Sequence, residues 1–418
     1  MSNQIAILHY SAPPEIGGVE AVIQAHTRFL TRAGCQVTVF AGRGEWGALP
    51  EAAGFELVPE MDSQHPDILL ISQELEAGKI PAQFESLTNR LETMLGPLLE
   101  RFDNIIVHNL FTKHFNLPLT AALYNLLDQG RLPGCIAWCH DFTWSSSHSS
   151  SKVHPGYPWD YLRSHRPEIK YVTVSRSRQQ ELAGLLQIPV GEIKVVYNGV
   201  DPQQLLGLSQ SGEALVERLG VWDSELVLLM PVRVTQAKNI EFAFEVVATL
   251  KESGIRPTLV ISGPPDPHEA GKMGYYRGLL ELRTRMELEE EVSFVYQSGP
   301  DPAAPNFLEY NQLGELYRVS DLLFMPSHRE GFGMPVLEAG LAGLPVISAE
   351  IPAAVEIGGQ EVITFPVEST PVQVAQRILD WTRRSSQYRL RKRIRQEYTW
   401  KAIVHRDILP LLKQSEAA

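Results

Sequence analysis

The stretch LLFMPSHREGFGMPVLEAGLAGLPVIS, residues 322–348, contains one complete strand–helix–strand unit. Its opening apolar run LLFM predicts a buried strand, and Pro335 suits the first position of a helix that follows a glycine-rich loop. Gly343 and Pro345 then end this helix after about two turns, and apolar residues resume as a second strand. Because a helix that joins two successive buried strands places them parallel in one sheet, the stretch predicts an α/β fold.

The same alternation of short apolar runs and helical patterns extends along the whole chain. At 418 residues the chain exceeds what one hydrophobic core usually serves, and the pattern starts again after the turn at 198–201. We therefore expect two Rossmann-like, doubly wound domains, at 1–200 and 201–395, followed by a closing helix at 396–418. The predicted strands lie at 5–10, 37–41, 105–108, 135–140, 171–174 and 194–197 in the first domain and at 226–230, 258–262, 292–296, 322–325 and 345–348 in the second.

Charge and composition restrict the function. The 37 Lys and Arg against 49 Asp and Glu give a net charge of -12, which repels polyanions, so nucleic acid is not expected as a partner. There is no basic leader and no apolar segment of about 18 residues that could span a bilayer. Cys35, Cys135 and Cys139 cannot form a disulfide framework, and a zinc site that used His140 would need a fourth ligand. We expect a cytoplasmic protein with cysteines in its core.

The C-terminal part of the chain combines a basic run, Arg383 to Arg395, with an amphipathic pattern from Trp400 to Leu412. The amphipathic pattern predicts the closing helix. The basic run predicts a solvated helix face, with attachment to an anionic membrane surface or an acidic partner as the alternative.

The loop and helix at 330–338 carry the most specific chemical pattern. Glu330 is expected in the loop and Glu338 in the first turn of the helix, whose free N–H groups and positive dipole end suit a diphosphate. Gly331 and Gly333 allow the backbone to approach such a ligand closely. Because phosphate repels carboxylates, the expected partners of the two glutamates are hydroxyls of a sugar and a ribose. In the alternative interpretation, Glu338 only complements its helix dipole and Glu330 is solvated.

Three other positions suit a ligand. Arg233 and Lys238 lie between a predicted strand and a helix, where two cations could hold a diphosphate and stabilise it as a leaving group. The Gly17–Gly18 loop precedes the first helix, at the place where such folds approach a phosphate. His140 ends a buried strand, at the sheet edge where ligands of parallel sheets bind. The alternatives are surface cations, a plain tight turn and a core or capping histidine.

Together these features resemble the family 4 retaining glycosyltransferases of the GT-B fold, over essentially the whole chain. In this family two Rossmann-like domains face a central cleft, and the closing helix crosses back onto the N-terminal domain. The marks of the family are, in chain order, Gly17 and Gly18, the turn Asn198-Gly-Val-Asp201, Arg233 with Lys238, the pair Glu330 and Glu338, Gly343 to Val346, and Trp400.

The resemblance also implies a role for each candidate residue. Glu330 would contact hydroxyls of the donor sugar, Glu338 the ribose, and His140 the transferred sugar. Arg233 and Lys238 would hold the phosphates, and the segment around Tyr296 would meet the base. The remaining residues expected at the donor are Gly17, Gly18, Gly331, Phe332, Gly333, Met334, Pro335, Val336 and Leu337.

The implied reaction is transfer of a hexose, with retention of anomeric configuration, from a UDP-, GDP- or ADP-sugar to an acceptor hydroxyl. The sequence has no Asp-x-Asp pair, so we expect no metal and no cofactor besides the donor. A small soluble acceptor or a glycan is slightly favoured over a lipid. The loop Pro352 to Glu356 departs from the glycine pair and acidic residue of many relatives, and the stretch 142–168 is assigned to the acceptor side.

Other functions fit parts of the pattern. A sugar-nucleotide epimerase, a hydrolase or a non-catalytic nucleotide-sugar sensor could use the same architecture. An NAD(P)-dependent oxidoreductase is the rival from another class, because Gly42, Gly44 and Gly47 fit G-x-G-x-x-G. That motif follows the second predicted strand, however, and Pro50 and Gly54 interrupt the helix that it requires.

Overall fold

A computed structural model describes residues 3–266, 273–301 and 303–412. The chain forms two compact units. The first contains the residues up to Val200 together with those from Tyr398 onward, and the second is Asp201–Glu397. The end of the predicted closing helix, at 413–418, lies outside the described residues.

The first unit is built on a parallel sheet in the order β3-β2-β1-β4-β5-β6-β7. Its strands are β1 Gln4–His9, β2 Gln36–Ala41, β3 Gly54–Leu57, β4 Asn104–His108, β5 Cys135–Cys139, β6 Lys170–Thr173 and β7 Ile193–Val195. Its helices include α1 Gly18–Arg32, α2 Pro66–Glu76, α3 Gln83–Leu99, α4 Leu117–Asp128 and α5 Arg176–Leu186.

The second unit repeats this plan with a parallel sheet in the order β10-β9-β8-β11-β12-β13. Its strands are β8 Leu226–Met230, β9 Pro257–Ile261, β10 Val292–Phe294, β11 Leu322–Met325, β12 Val346–Ala349 and β13 Ile363–Phe365. Its helices are α6 Pro202–Leu206, α7 Gln210–Arg218, α8 Ile240–Glu252, α9 Gly274–Arg285, α10 Tyr310–Val319, α11 Met334–Ala342, α12 Pro352–Gly358, α13 Pro371–Arg384 and α14 Ser386–Glu397.

These strand orders confirm the prediction of two Rossmann-like domains. In each sheet the first strand has its successor on one side and a later strand on the other, which is the reversal that defines a doubly wound sheet. The reversal lies between β1 and β4 in the first unit and between β8 and β11 in the second. Ligands of such sheets bind at the carboxyl ends of these strands.

The continuous apolar runs arise because each sheet is covered on both faces. Along β1, Ile5 and Ile7 pack into one core while Ala6 and Leu8 pack into the core on the other face. All four side chains are fully buried. Successive residues of a strand point to opposite faces, so a strand between two helical layers must be apolar at every position.

Two strands, β3 and β13, are absent from the predicted set. Both are short strands at the edge of a sheet, and neither is continuously buried. The sequence Gly-Phe-Glu-Leu of β3 therefore lacks the unbroken apolar run that marks the inner strands. Edge strands with one partner need less apolar surface, and sequence patterns reveal them less clearly.

The closing segment differs from the single helix that the sequence predicts. A short helix, α15 Trp400–Ile403, continues as a π-turn, Val404–Ile408, and a 3-10 turn, Leu409–Leu411. The apolar side chains of this segment still join the core beside α1. The amphipathic pattern thus predicted the buried face correctly, but it did not predict the change from an α-helix to π and 3-10 turns.

The basic run is not simply a solvated face, as the sequence suggested. It lies largely on α14, where Arg395 is buried and donates two hydrogen bonds to Asp321, at 3.1 and 2.8 Å. Arg391 lies 3.5 Å from the same carboxylate, and Lys392 pairs with Glu225 at 2.6 Å. Part of the basic run therefore holds α14 against the rest of the second unit. Within the described ranges, none of the helices is both long and apolar enough to cross a membrane.

Candidate functional site

The carboxylate of Glu330 forms the centre of the candidate donor site. It lies in the loop between β11 and α11, as predicted, and its Oε2 is 2.6 Å from Nζ of Lys238. Its Oε1 accepts a hydrogen bond of 2.7 Å from the buried hydroxyl of Ser327. The side chains of Glu330 and Lys238 are 8% and 19% exposed. The interpretation of Glu330 as a freely solvated carboxylate is therefore wrong.

Lys238 reaches Glu330 because the loops that follow β8 and β11 are bonded together. The N–H of His328 donates to the carbonyl of Ala237, and the side chain of Asn239 donates to the carbonyl of Pro326. Both loops start at the carboxyl ends of neighbouring strands, at the reversal of strand order. The sheet topology therefore brings together a cation and a carboxylate that are distant in sequence, at the place where such sheets bind ligands.

Arg233 lies in the loop after β8 but does not join this pair. Its side chain is exposed and has no hydrogen-bond or ion-pair partner within the described ranges. The backbone at Val232 and Arg233 packs directly against Gly263, where a β-carbon would lie 2.2 Å from the Val232 carbonyl oxygen. The loop backbone is thus fixed by close packing, while the guanidinium remains available to a ligand.

The helix α11 presents its amino-terminal end beside Glu330. Gly333 precedes the first residue, Met334, and has a φ of 93°, a left-handed conformation that side chains rarely adopt. Phe332 and Met334 are exposed, at 56% and 52%. No side chain caps the start of α11, so the N–H groups of Gly333 and Met334 can hold an anion.

The placement of Glu338 in the first turn of this helix was wrong. Because α11 starts at Met334, Glu338 falls in the second turn, and the first turn contains no acidic residue. The alternative in which it complements the helix dipole loses its basis, since that effect is confined to the first turn. Glu338 instead accepts a 2.6 Å hydrogen bond from the hydroxyl of Tyr317 on α10. Burial, followed by this carboxylate, raises the pKa of Tyr317.

Tyr296, assigned to the base, lies in a 3-10 turn directly after β10. Its half-buried ring packs edge-on against Tyr276 and Phe307, with centroids 5.6 and 5.7 Å away. Its carbonyl accepts a hydrogen bond from the N–H of Asn306. Phe307 is 64% exposed, so this segment presents aromatic surface on which a base could stack.

In the first unit, His140 follows β5 and is held from two sides. Its backbone N–H donates to Oδ1 of Asn109 at 2.8 Å, and its Nε2 lies 3.0 Å from Nδ1 of His108. Burial, followed by the nearby His9, lowers the pKa of His140 to about 3. His140 is therefore an uncharged imidazole at neutral pH.

His9, His108 and Asn109 were not among the residues predicted at the site. His9 ends β1, His108 ends β4, and Asn109 follows it with a φ of 60°. With His140 after β5, three histidines lie at the carboxyl ends of adjacent strands. The sequence does contain a signal for these histidines, because each directly follows an apolar run, as in AILHY, IIVHN and AWCHD.

The Gly17–Gly18 loop leads into α1, which starts at Gly18. The carboxylate of Glu20 lies at this helix end, where it accepts a 2.6 Å hydrogen bond from Ser11 and is 3.9 Å from Nε2 of His9. A carboxylate there is favoured by the helix dipole, but it repels a phosphate from the same N–H groups. Donor binding at Gly17 and Gly18 remains a prediction.

The Gly42 loop lacks the geometry of a dinucleotide site. A 3-10 turn, Trp46–Ala48, includes the last glycine of the motif, and the chain then enters β3. No α-helix starts at the motif, so its N–H groups cannot cradle a pyrophosphate in the way that G-x-G-x-x-G requires. Among the residues that the structure describes, no three His, Cys, Asp or Glu side chains cluster as metal ligands. The three cysteines are buried free thiols.

Known proteins resemble this chain in both units. The family model described as glycosyl transferases group 1 matches residues 213–398, and the model described as Glycosyltransferase Family 4 matches residues 16–204. An uncharacterized glycosyltransferase of Methanocaldococcus jannaschii is 26% identical over 86% of this chain and 83% of its own.

Two other relatives are matched over less than two thirds of their own length. The mannosylglucosylglycerate synthase of Petrotoga mobilis is 24% identical over 64% of this chain and 63% of its own. A D-inositol 3-phosphate glycosyltransferase of Stackebrandtia nassauensis is 29% identical over 43% of this chain and 38% of its own.

Solved structures match over nearly the full length, but with low TM-scores. A crystal structure of HepE from Anabaena in complex with UDP is 18% identical, with a TM-score of 0.35, over 98% of this chain and 99% of its own. Sucrose-phosphate synthase from Thermosynechococcus elongatus is 16% identical, with a TM-score of 0.36, over 98% and 99% of the two chains. Because the two family models together match both units, the protein is a glycosyltransferase and belongs to Glycosyltransferase Family 4.

Proposed function

We propose that this enzyme transfers a hexose from a nucleoside diphosphate sugar to an acceptor hydroxyl, with retention of anomeric configuration and without a metal ion. The observation that carries the proposal is the contact between Lys238 and Glu330 beside the free N–H groups of α11. A cation, a carboxylate and a helix start are the groups that a sugar diphosphate needs, because its diphosphate is anionic and its sugar is rich in hydroxyls.

In this proposal the donor lies across the loops that follow β8 and β11. Arg233, Lys238 and the backbone from Gly331 to Leu337 hold the diphosphate and the sugar, and Glu330 accepts hydrogen bonds from the hydroxyls of the sugar. Glu338 accepts from the ribose, and Tyr296 lies at the base. The exposed guanidinium of Arg233 supports its share of this role, since it needs no rearrangement to pair with phosphate.

The proposed step breaks the bond between the anomeric carbon and the diphosphate oxygen. The electron pair leaves with that oxygen, whose charge Arg233 and Lys238 stabilise as it develops. The acceptor oxygen bonds to the same face of the anomeric carbon, and its proton passes to the departing phosphate. The products are a glycoside and a nucleoside diphosphate, so the step requires no protein nucleophile and no metal.

We further propose a small polar acceptor or a glycan and a cytoplasmic location. Two relatives carry names that include a glycerate and an inositol phosphate, both small polar molecules, which supports the first point. The buried free thiols of Cys35, Cys135 and Cys139 are consistent with a reducing compartment. The His140 side of the first unit is proposed to contact the transferred sugar.

The test is product analysis with the full chain and UDP-, GDP- and ADP-hexoses, each with a panel of polyols, sugar phosphates and glycans. Nucleoside diphosphate release is measured together with NMR of the product. The proposal predicts a glycoside whose anomeric configuration matches that of the donor. An inverted glycoside overturns retention, while free hexose or an epimerised donor, with no glycoside for any acceptor, overturns transfer in favour of a hydrolase or an epimerase. Addition of EDTA should leave the rate unchanged.

A further inference from the structure

The buried histidine pair in the first unit defines a chemical role for His140. His108 is fully buried, and its Nδ1 lies 3.0 Å from Nε2 of His140. The planes of the two rings differ by only 23°, and their centroids are 5.4 Å apart. This arrangement places one ring nitrogen close to the plane of the other ring, where a single hydrogen can be shared between them.

Only one of the two neutral histidines can donate in this contact. If His140 donates from Nε2, then His108 must carry its hydrogen on its own Nε2. That atom is buried without a hydrogen-bond partner among the residues that the structure describes. An enclosed N–H group without an acceptor is rarer and more costly than an enclosed lone pair.

The surroundings of His108 favour the opposite direction. Besides His140, the rings of His26 and Trp138 lie against it, with centroids 5.3 and 5.9 Å away, and their ring nitrogens are also buried without partners in the described part of the chain. Trp138 can only donate, and neutral His26 must carry one N–H. A bare nitrogen on His108 adds an acceptor to this group, whereas an N–H would add a further donor.

We propose that His108 donates from Nδ1 to His140, which fixes His140 as the tautomer with its hydrogen on Nδ1 and makes that N–H a donor to the transferred sugar. This inference rests on the proposed function. Nδ1 of His140 has no partner within the described residues, and it is not among the enclosed unpaired atoms. It is therefore free to donate to a ligand hydroxyl at the carboxyl end of β5.

The fixed tautomer also excludes one mechanism. A neutral histidine that accepts at Nε2 and carries its hydrogen on Nδ1 has no free lone pair with which to remove a proton. His140 therefore orients the sugar without acting as a general base, and the acceptor proton goes to the departing phosphate. Burial lowers the pKa of His108 and that of His140, so neither ring becomes a cation near neutral pH.

His108 and Asn109 are positioning residues in this account. Asn109 holds the backbone N–H of His140 and also lies 3.3 Å from that of Asp141. The carbonyl of His108 lies 3.0 Å from Nδ1 of His9, which links the end of β1 to the same network. Three adjacent strand ends thus fix both the backbone and the ring of His140.

The direct test reads the tautomer without measuring activity. The full chain labelled with [15N]histidine is studied by long-range 1H–15N correlation at pH 7.5, and His140 is assigned by the loss of its signals in His140→Asn. The proposal predicts hydrogen on Nδ1 and a bare, hydrogen-bonded Nε2. Hydrogen on Nε2, or a positively charged ring, overturns it. Because the spectrum needs no substrate, this result is independent of whether the proposed transfer occurs.

A matched pair of variants tests the donor role. The amide of His140→Asn lies near the place of Nδ1, whereas that of His140→Gln lies near the place of Nε2. We expect His140→Asn to keep kcat/KM within about tenfold of the original enzyme and His140→Gln to lose at least a hundredfold. His108→Asn, which keeps a donor near Nδ1, should retain more activity than His108→Leu. Equal losses in the two His140 variants overturn the donor role.

Discussion

The ammonium of Lys238 lies 2.6 Å from Oε2 of Glu330, although the two residues are 92 positions apart in the chain. The contact exists because β8 and β11 are neighbours in the sheet and their loops are bonded together. It joins a group suited to phosphate with a group suited to sugar hydroxyls. The contact therefore brings together the groups proposed to bind the diphosphate and the sugar of the donor.

Loss of either partner should slow transfer strongly. Lys238→Ala and Glu330→Ala are each expected to lower kcat by roughly 10²–10³-fold, the usual effect of removing one electrostatic contact to the transition state. Steady-state kinetics with the best donor found by product analysis measures this effect, with circular dichroism to check folding.

A matched control for this prediction is Lys251→Ala. Lys251 pairs with Glu291 at 2.9 Å in the same unit, but its side chain is 44% exposed. Its loss should leave kcat within about twofold, because surface ion pairs contribute little. Unchanged rates in Lys238→Ala and Glu330→Ala would disprove the site.

Glu338 should distinguish ribose from deoxyribose. If its carboxylate accepts hydrogen bonds from ribose hydroxyls, the enzyme should bind a nucleoside diphosphate more tightly than the 2′-deoxy form. Glu338→Gln should reduce this preference, and Tyr317→Phe should raise the KM for the donor with little change in kcat, since Tyr317 orients Glu338. Competitive inhibition constants measure the preference. If Glu338→Gln prefers the ribose form as strongly as the original enzyme does, other residues bind the ribose.

The stability of the first unit should fall in mild acid. Burial lowers the pKa of His26 and of His140 to about 3, while an unfolded histidine titrates near 6.5. Between these values the unfolded chain binds more protons, so the free energy of unfolding decreases as the pH falls below about 6.5. At pH 5 each of these two histidines should lower the free energy of unfolding by about 2 kcal/mol relative to neutral pH.

Urea unfolding at pH 7.5 and pH 5, followed by tryptophan fluorescence, measures this loss. His26→Leu should reduce the loss by about 2 kcal/mol, because it removes one of the buried histidines. His148→Leu, a change at an exposed position, should leave this loss of stability unaltered. A loss that is the same in all three proteins would contradict the assignment.

The buried end of the basic run should govern the stability of the second unit. Arg395→Met leaves the buried carboxylate of Asp321 without its bidentate partner, and it should destabilise the unit by about 3–5 kcal/mol. Arg393 lies on the same helix but pairs with Glu397 at an exposed position, so Arg393→Ala should shift stability by less than about 1 kcal/mol. Thermal unfolding separates the two cases, and similar losses would contradict this account.

Substitution of Gly263, which packs against the Arg233 loop, should weaken donor binding although Gly263 does not contact the donor. Gly263→Ala would place a β-carbon 2.2 Å from the Val232 carbonyl oxygen, so the loop must shift. We expect KM for the donor to rise, because Arg233 moves with the loop. Gly278→Ala meets nothing within 4 Å and serves as the control. An unchanged KM in Gly263→Ala would show that this loop does not contact the donor.

The sequence predicted the inner strands and the location of the donor loop because both depend on local patterns. Unbroken apolar runs such as Leu226–Met230 occur only where a strand is covered on both faces. Glu330 was placed correctly in its loop, since glycines and Pro335 define where α11 begins.

The features that the sequence did not predict depend on contacts between residues that are distant in the chain. Nothing near Lys238 in the sequence indicates that it pairs with Glu330, and nothing near Arg395 indicates the buried Asp321. Glu338 was misplaced because Met334 begins the helix one residue earlier than Pro335 suggests. The contact of His108 with His140 requires that β4 and β5 be neighbours, which only the assembled sheet shows.

Calorimetric titration of the full chain with UDP, GDP and ADP tests whether Lys238 and Glu330 mark a donor diphosphate site. We expect that one of them binds selectively, and that Lys238→Ala weakens its affinity at least tenfold, about 1.4 kcal/mol, while Lys251→Ala leaves it unchanged. Binding of none of the three, or equal affinity in Lys238→Ala, would show that the diphosphate does not bind here.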